Sequence, residues 1–381
     1  MLRAATPLLA IRRWLFWPHA VRGWWATLAR ELGPADVYHA CGVLAVAPAL
    51  RHRRHRPTGA TGGRARVIYD AIDDVGGSNE TMAMPAVIRR RITARERAWA
   101  RAADAVVTVN RALADRLARR YERSDDILVV PNYPEHGAPT ARLEEVVAAS
   151  PLRAAAGIAG DRRLILFQGR LGPGLGLEAA AEAVRSVPSA DLVLMGFGRG
   201  LAASRARDRA PRFAGRHVTL PAVHPDELAA WTAGADVMII PLPPTSPNQR
   251  DSTPNKFWEA IAAGVPVVVV RGLTTMEDLV TRHDLGVVAA SASAADLAAA
   301  IRAVIVRLDV EGPAWRARLV ATSRNEFSWP AAATSYRRLV RTLLGTTSAP
   351  IDGSSGQACS WAPSPRADDS VESARRRSPP G

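Results

Sequence analysis

The chain has 381 residues, 48% of them hydrophobic and 23% charged, a balance that supports two globular domains with some chain to spare. Its formal net charge of +14 asks for something anionic, and charge alone does not choose among nucleic acid, an anionic membrane surface and a phosphorylated small molecule. The two cysteines, Cys41 and Cys359, argue against a disulfide framework or a cysteine metal site and make a reducing cytosol the expected compartment; no apolar run reaches membrane-span length and no secretory signal is readable.

The first segment, Leu8 to Leu32, sets Trp14, Phe16, Trp17, Trp24 and Trp25 beside Arg12, Arg13, Arg22 and Arg30. A helix of this type either lies in an anionic membrane interface or packs its aromatics under a sheet, and both readings stay open. The basic runs at 51–57 and 87–105 read as solvated faces, and no nucleic-acid-binding module is recognisable, so nucleic acid is disfavoured as a partner.

From about residue 66 short β-branched runs alternate with alanine-rich helical stretches. Strands are expected at 66–73, 105–110, 127–132, 163–169, 191–198, 217–223, 236–242 and 266–270, and helices at 177–184, 225–235 and 294–308. Steady alternation of this kind means parallel sheets covered by helices. The proline-rich run at 131–140 interrupts it and places a domain junction there. The expected fold is therefore α/β, two Rossmann-like doubly wound domains over 1–134 and 135–345, followed by a disordered Ser/Pro/Gly-rich tail over 346–381. The paired acids Asp73-Asp74 and Asp125-Asp126 read as solvated loop residues, and no metal site is expected.

Of the 50 Lys and Arg residues only Lys256 is lysine. In DSTPNKFWEAIAAG, Thr253 can cap and Pro254 open a helix that Gly264 ends, and its free amides and dipole favour an anion. The bland reading makes Lys256 a surface residue with Glu259 as its helical ion-pair partner. An arginine-saturated chain that uses one compact ammonium, at a helix N-terminus facing a cleft, favours a phosphate role instead. The stretch FQGRLGPGLGLEAAAEA likewise carries Gly169 and Arg170 from a strand end into a glycine turn and a helix, although a glycine turn alone is weak evidence.

Taken together, the G-R-L turn, MGFG at 195–198, the HPDEL stretch and the segment from Asp251 to Val268 resemble the carboxyl-terminal domain of retaining glycosyltransferases of the GT-B fold, in particular glycosyltransferase family 4. The resemblance covers about 130–345 well and 36–130 loosely. It implies a metal-independent hexosyltransferase with a nucleoside diphosphate sugar as donor and no cofactor. By the same resemblance Arg170 and Lys256 grip the diphosphate, Glu259 holds the ribose, and Gly169, Ser252 and Thr253 line the donor site. Asp251 stands where the family has its first glutamate, one methylene shorter, with a catalytic role at the sugar. Leu175 replaces the family's usual lysine, and the family's His-x-His-Asp run reads His39-Ala40-Cys41-Gly42, leaving His39 on the acceptor side or as an ordinary strand-end histidine. The family's opening strand and glycine loop are not matched, so either the start lies too far downstream or the amino-terminal domain is incomplete.

The expected function is retaining transfer of a sugar to a cell-envelope or glycolipid-type acceptor, at the cytoplasmic face of the membrane. The alternative is a catalytically impaired nucleotide-binding or accessory protein.

Overall fold

The computed structural model describes residues 25–346 apart from 29, 56–57, 124–126, 136–142 and 214. Most of the aromatic amino-terminal segment, Asp125-Asp126 and the tail beyond Thr346 lie outside the described residues. Two wholly parallel sheets are present. The first has the order β1 (Val37–Cys41), β2 (Arg66–Asp70), β3 (Ala105–Thr108), β4 (Leu128–Val129). The second runs β10 (Gly286–Ala289), β9 (Val267–Val270), β8 (Val237–Ile240), β5 (Arg163–Arg170), β6 (Ala190–Phe197), β7 (His217–Pro221). The helices of eight or more residues among the described ones are α1 (Val43–His55), α2 (Ala86–Ala102), α3 (Arg111–Tyr121), α4 (Leu177–Arg185), α5 (Leu201–Asp208), α6 (Asn255–Ala262), α7 (Thr274–His283), α8 (Ala294–Glu326) and α9 (Trp329–Leu344). The doubly wound α/β expectation holds, with four strands in the first sheet against six in the second.

Sequence pattern explains why the sheets are buried on both faces. The run Val267–Val270 is apolar throughout and fully buried, as a central parallel strand requires. In β2, Val67 and Tyr69 enter one core while Ile68 enters another on the opposite face, following the two-residue period of a strand. That opposite face is covered by the last helix, α9, which lays Tyr336, Leu339, Val340 and Leu343 against Ile68, Ala105 and Val107. Each buried aliphatic side chain in these cores contributes roughly 1.5–3 kcal/mol. Helix α8 breaks at Glu311, where φ is −134°, two residues before Pro313, whose ring cannot continue the helical ladder. Trp25 is the one aromatic of the amino-terminal segment among the described residues, and it packs edge-on against Trp99 with its indole N–H donating to the Leu44 carbonyl at 2.9 Å.

Two glycines fix how closely the elements meet at the carboxyl end of the second sheet. A Cβ on Gly196 in β6 would fall 1.8 Å from the Gly169 carbonyl oxygen in β5, and one on Gly176 would fall 2.0 Å from the Pro241 carbonyl. Both obstacles are backbone, so they cannot swing aside. The variant Gly196→Ala is expected to lose about 3 kcal/mol or more of stability in urea unfolding, as overpacking of a rigid neighbour does. An unchanged midpoint would contradict this reading of the strand contact.

Candidate donor site at the carboxyl edge of the second sheet

Strand β5 ends at Gly169 and Arg170, and the chain then turns through Leu171–Gly176 into α4. Gly169 has φ +106°, a backbone state that side chains rarely adopt, and a Cβ placed there would stand 3.5 Å from Lys256 Nζ. Lys256 arrives from α6, in whose first turn it lies. Pro254 is the residue that precedes this helix and offers no side-chain cap. Thr253 was the expected cap; it is instead buried with its hydroxyl accepting from Asn110 Nδ2 at 3.3 Å, and among the described residues no side chain caps the first turn of α6.

The Lys256 ammonium sits 4.5 Å from the centre of the Phe167 ring, a cation–π contact. Burial pushes its pKa down to about 8, with Arg170 adding to the depression and Glu259 opposing it. Two cations are thus held close at the end of β5, Lys256 half-buried and Arg170 exposed, and their mutual repulsion is relieved by an anion. Among the described residues no ion pair engages Arg170, which is exposed at the strand end.

Glu259, one turn below Lys256, accepts from Gln168 Nε2 at 2.6 Å, and Gln168 Oε1 in turn accepts from the Thr232 hydroxyl at 2.8 Å. This chain fixes the carboxylate, whose pKa burial pushes up against the lowering by Gln168 and Lys256. Its structural partner is Gln168 rather than the helical ion pair of the bland reading. Ser252 is partly buried and donates to the Gln249 carbonyl at 2.9 Å.

Asp251 is placed differently from an open sugar contact. It is buried, receives Arg116 Nε at 2.9 Å together with a second Arg116 N–H, and accepts from the Thr274 hydroxyl at 3.2 Å. Its own carbonyl accepts from Asn110 Nδ2 at 2.8 Å. Arg116 and Asn110 belong to the first sheet's side of the molecule, so this carboxylate ties the two sheets together. A parallel tie runs through the backbone N–H of Asp74, which donates to Asn248 Oδ1 at 2.7 Å, and the carboxylate of Asp74 is not solvated as expected. It is fully buried, paired with Arg120, and caps the turn at Gly77 by accepting its N–H at 2.8 Å. Desolvating a carboxylate is tolerable here because guanidinium and backbone donors replace its water. Its neighbour Asp73 accepts from Asn248 Nδ2 at 3.1 Å across the same junction.

On the opposite lip, His39 lies in β1, a strand the β-branched pattern did not reveal. Its Nε2 is 3.2 Å from Asp70 Oδ2 and its Nδ1 is 2.8 Å from the Tyr336 hydroxyl, with the two rings stacked. Burial, followed by Asp70 and Cys41, pushes the Tyr336 phenol up to about 12. Leu175, in place of the family's lysine, packs on the core of the second sheet. A cavity of about 480 Å³ between α3, Tyr133, Trp258 and α7 is lined by none of Gly169, Arg170, Lys256 and Glu259.

Asn110, Arg116, Gln168 and Tyr336 were not singled out from sequence, and Asp74 was read there only as a solvated loop acid. Only Asn110 carried a local signal, standing before α3 as its N-cap and accepting from the Leu113 N–H at 2.9 Å.

Residues 162–306 match the family model described as Glycosyl transferases group 1. The described residues adopt the GT-B arrangement of two Rossmann-like sheets. It is similar to sucrose-phosphate synthase from Thermosynechococcus elongatus at 19% identity and a TM-score of 0.60, covering 87% of this chain and 78% of that one. It is similar to S. aureus TarM, solved with UDP, at 11% identity and a TM-score of 0.59, covering 83% and 57%. It also resembles α,α-trehalose 6-phosphate synthase from Burkholderia multivorans at 14% identity and a TM-score of 0.58, covering 85% and 75%. No curated protein sequence matches the chain. Among the described residues no helix is long and apolar enough to cross a membrane.

Proposed function

We propose that the chain is a retaining glycosyltransferase that uses a nucleoside diphosphate sugar and holds the donor's diphosphate between Arg170, Lys256 and the first-turn amides of α6. The observation that carries the reading is the position of the half-buried Lys256 ammonium, over the Phe167 ring and against Gly169 at the end of β5 next to Arg170, with its pKa pushed down to about 8. When the bond from the anomeric carbon to the diphosphate breaks, the electron pair stays on the departing phosphate oxygen. Arg170, Lys256 and the helix dipole lie where that charge grows, and they stabilise it without having to reorganise. The acceptor oxygen forms the new bond to the anomeric carbon and its proton passes to the departing phosphate or to solvent. Glu259, held by Gln168, presents its carboxylate to the ribose hydroxyls, while Gly169 lets the backbone approach the donor closely.

We read the transfer as independent of a divalent ion, because the chain's own cations supply the positive charge at the leaving group; turnover is expected not to need added Mg2+ or Mn2+. The acceptor is proposed to be a cell-envelope or glycolipid-type hydroxyl, supported by the net charge of +14 and the aromatic, basic segment before Leu32, with peripheral contact to an anionic membrane on its cytoplasmic side.

The test is calorimetric titration of the full chain with UDP, GDP and ADP, followed by assay of the matching nucleotide sugars for release of the diphosphate. Micromolar binding of one nucleotide with turnover of its sugar supports the reading. No binding by a folded chain overturns it. The engagement of Asp251 by Arg116 favours a second reading, a nucleotide-binding protein without transfer, which predicts binding but no turnover with any sugar.

A further inference from the structure

The parallel register pairs Cys41 in β1 with Asp70 in β2, and His39 stands two residues back on the same face. The imidazole, thiol and carboxylate donor atoms all lie within 4.8 Å of one another. Cys41 is free and exposed, and His39 is exposed as well. We propose that His39, Cys41 and Asp70 form a three-ligand site for a thiophilic divalent cation of the Zn2+ type, open at its fourth position to the cleft on the first sheet's side.

The geometry is close to what such an ion requires. Zinc bonds of roughly 2.0–2.3 Å in a tetrahedron set ligand atoms about 3.3–3.8 Å apart. His39 Nε2 and Asp70 Oδ2 already stand 3.2 Å apart, and the widest pair needs to close by about 1 Å through rotation of exposed side chains. One imidazole, one thiolate and one carboxylate favour zinc over magnesium or calcium, which prefer all-oxygen sites.

The support around the site is also of the right kind. Ligation through Nε2 requires the tautomer with a proton on Nδ1, and the Tyr336 oxygen is 2.8 Å from Nδ1, placed to accept that proton and hold the ring. Tyr336 comes from α9, the helix that crosses back over the first sheet. Binding releases the Cys41 thiol proton to solvent and leaves a metal thiolate, with no change of oxidation state. The count of two cysteines argued against a cysteine metal site, yet this one needs only one sulfur.

The proposal is tested on the full chain, reduced and stripped with a chelator, by titration with Co2+ as the spectroscopic probe. The expected result is one Co2+ per chain with a thiolate charge-transfer band in the near ultraviolet, displaced by Zn2+. Cys41→Ser removes the band and Cys359→Ser keeps it. His39→Ala and Tyr336→Phe weaken affinity, the latter by roughly ten- to a hundredfold as loss of an orienting partner does. Far-ultraviolet dichroism and the melting temperature of each variant separate loss of the site from loss of the fold. A wild-type chain that is folded and shows no band, a band surviving in Cys41→Ser or lost in Cys359→Ser, or an affinity indifferent to both His39→Ala and Tyr336→Phe would overturn the site.

Discussion

Lys256→Ala is expected to weaken binding of the nucleoside diphosphate by roughly 10- to 150-fold, the equivalent of one hydrogen bond between charged groups worth about 1.5–3 kcal/mol. Turnover should fall further, by about 100- to 1000-fold, because the charge on the diphosphate is greatest as it leaves. Lys256→Arg should not restore activity. The ammonium sits over the Phe167 ring beside Gly169, where a point charge fits and a planar fork does not. The pH dependence has a definite sign. Burial, with Arg170, lowers the Lys256 pKa from its ordinary 10.5 to about 8, so the cation that binds the diphosphate is present below about pH 8 and lost above it. Donor affinity should fall as pH rises through that value, binding near it should take up a proton, and Lys256→Ala should lack this limb. For the ligand-free chain the linkage runs the other way. Between about pH 8 and 10.5 the unfolded chain binds more protons at this position, so its contribution to stability rises with pH. Calorimetry in buffers of different ionisation heat measures the proton uptake. A flat profile across pH 7–9 would remove Lys256 from the diphosphate.

The cleft side of the second sheet was legible because its signals are local. Buried parallel strands such as Val267–Val270 are apolar without interruption, and a lone lysine among arginines is visible by counting. Strand β1, VYHAC, and strand β10, GVVA, were not legible: one mixes polar with apolar residues at the cleft and the other is only four residues long. The crossing of α9 could not be read either. Its amphipathic pattern says that a face is buried but not which sheet buries it. The same holds for charge pairs. Arg116 looks like one more basic residue of a helix until the fold brings it to an acid 135 residues away. Sequence spacing shows partners within a helix and hides partners that meet only through the fold, and at the candidate site the pairing of Glu259 with Gln168 is of the second kind.

That distant pair carries the second large effect. Arg116→Ala is expected to cost about 3–5 kcal/mol of unfolding free energy, because it leaves the buried Asp251 carboxylate without its guanidinium. Arg116 Nε also stands 3.7 Å from the buried Asp74 carboxylate, which keeps Arg120, so the loss there is partial. Asp251→Asn should be milder, since an amide oxygen can still accept from Arg116 and from Thr274. The double variant Arg116→Met/Asp251→Leu, which removes both charges, should recover much of the stability, and the resulting cycle isolates the coupling between them. Denaturant unfolding of the four proteins measures it. A role for Asp251 confined to the donor sugar predicts the opposite pattern: Arg116→Ala stable, and Asp251→Asn stable but without turnover. The two roles separate cleanly because stability reads the tie between the sheets while turnover reads the sugar. A coupling near zero would free Asp251 for the donor and return it to the place that the family's first glutamate holds.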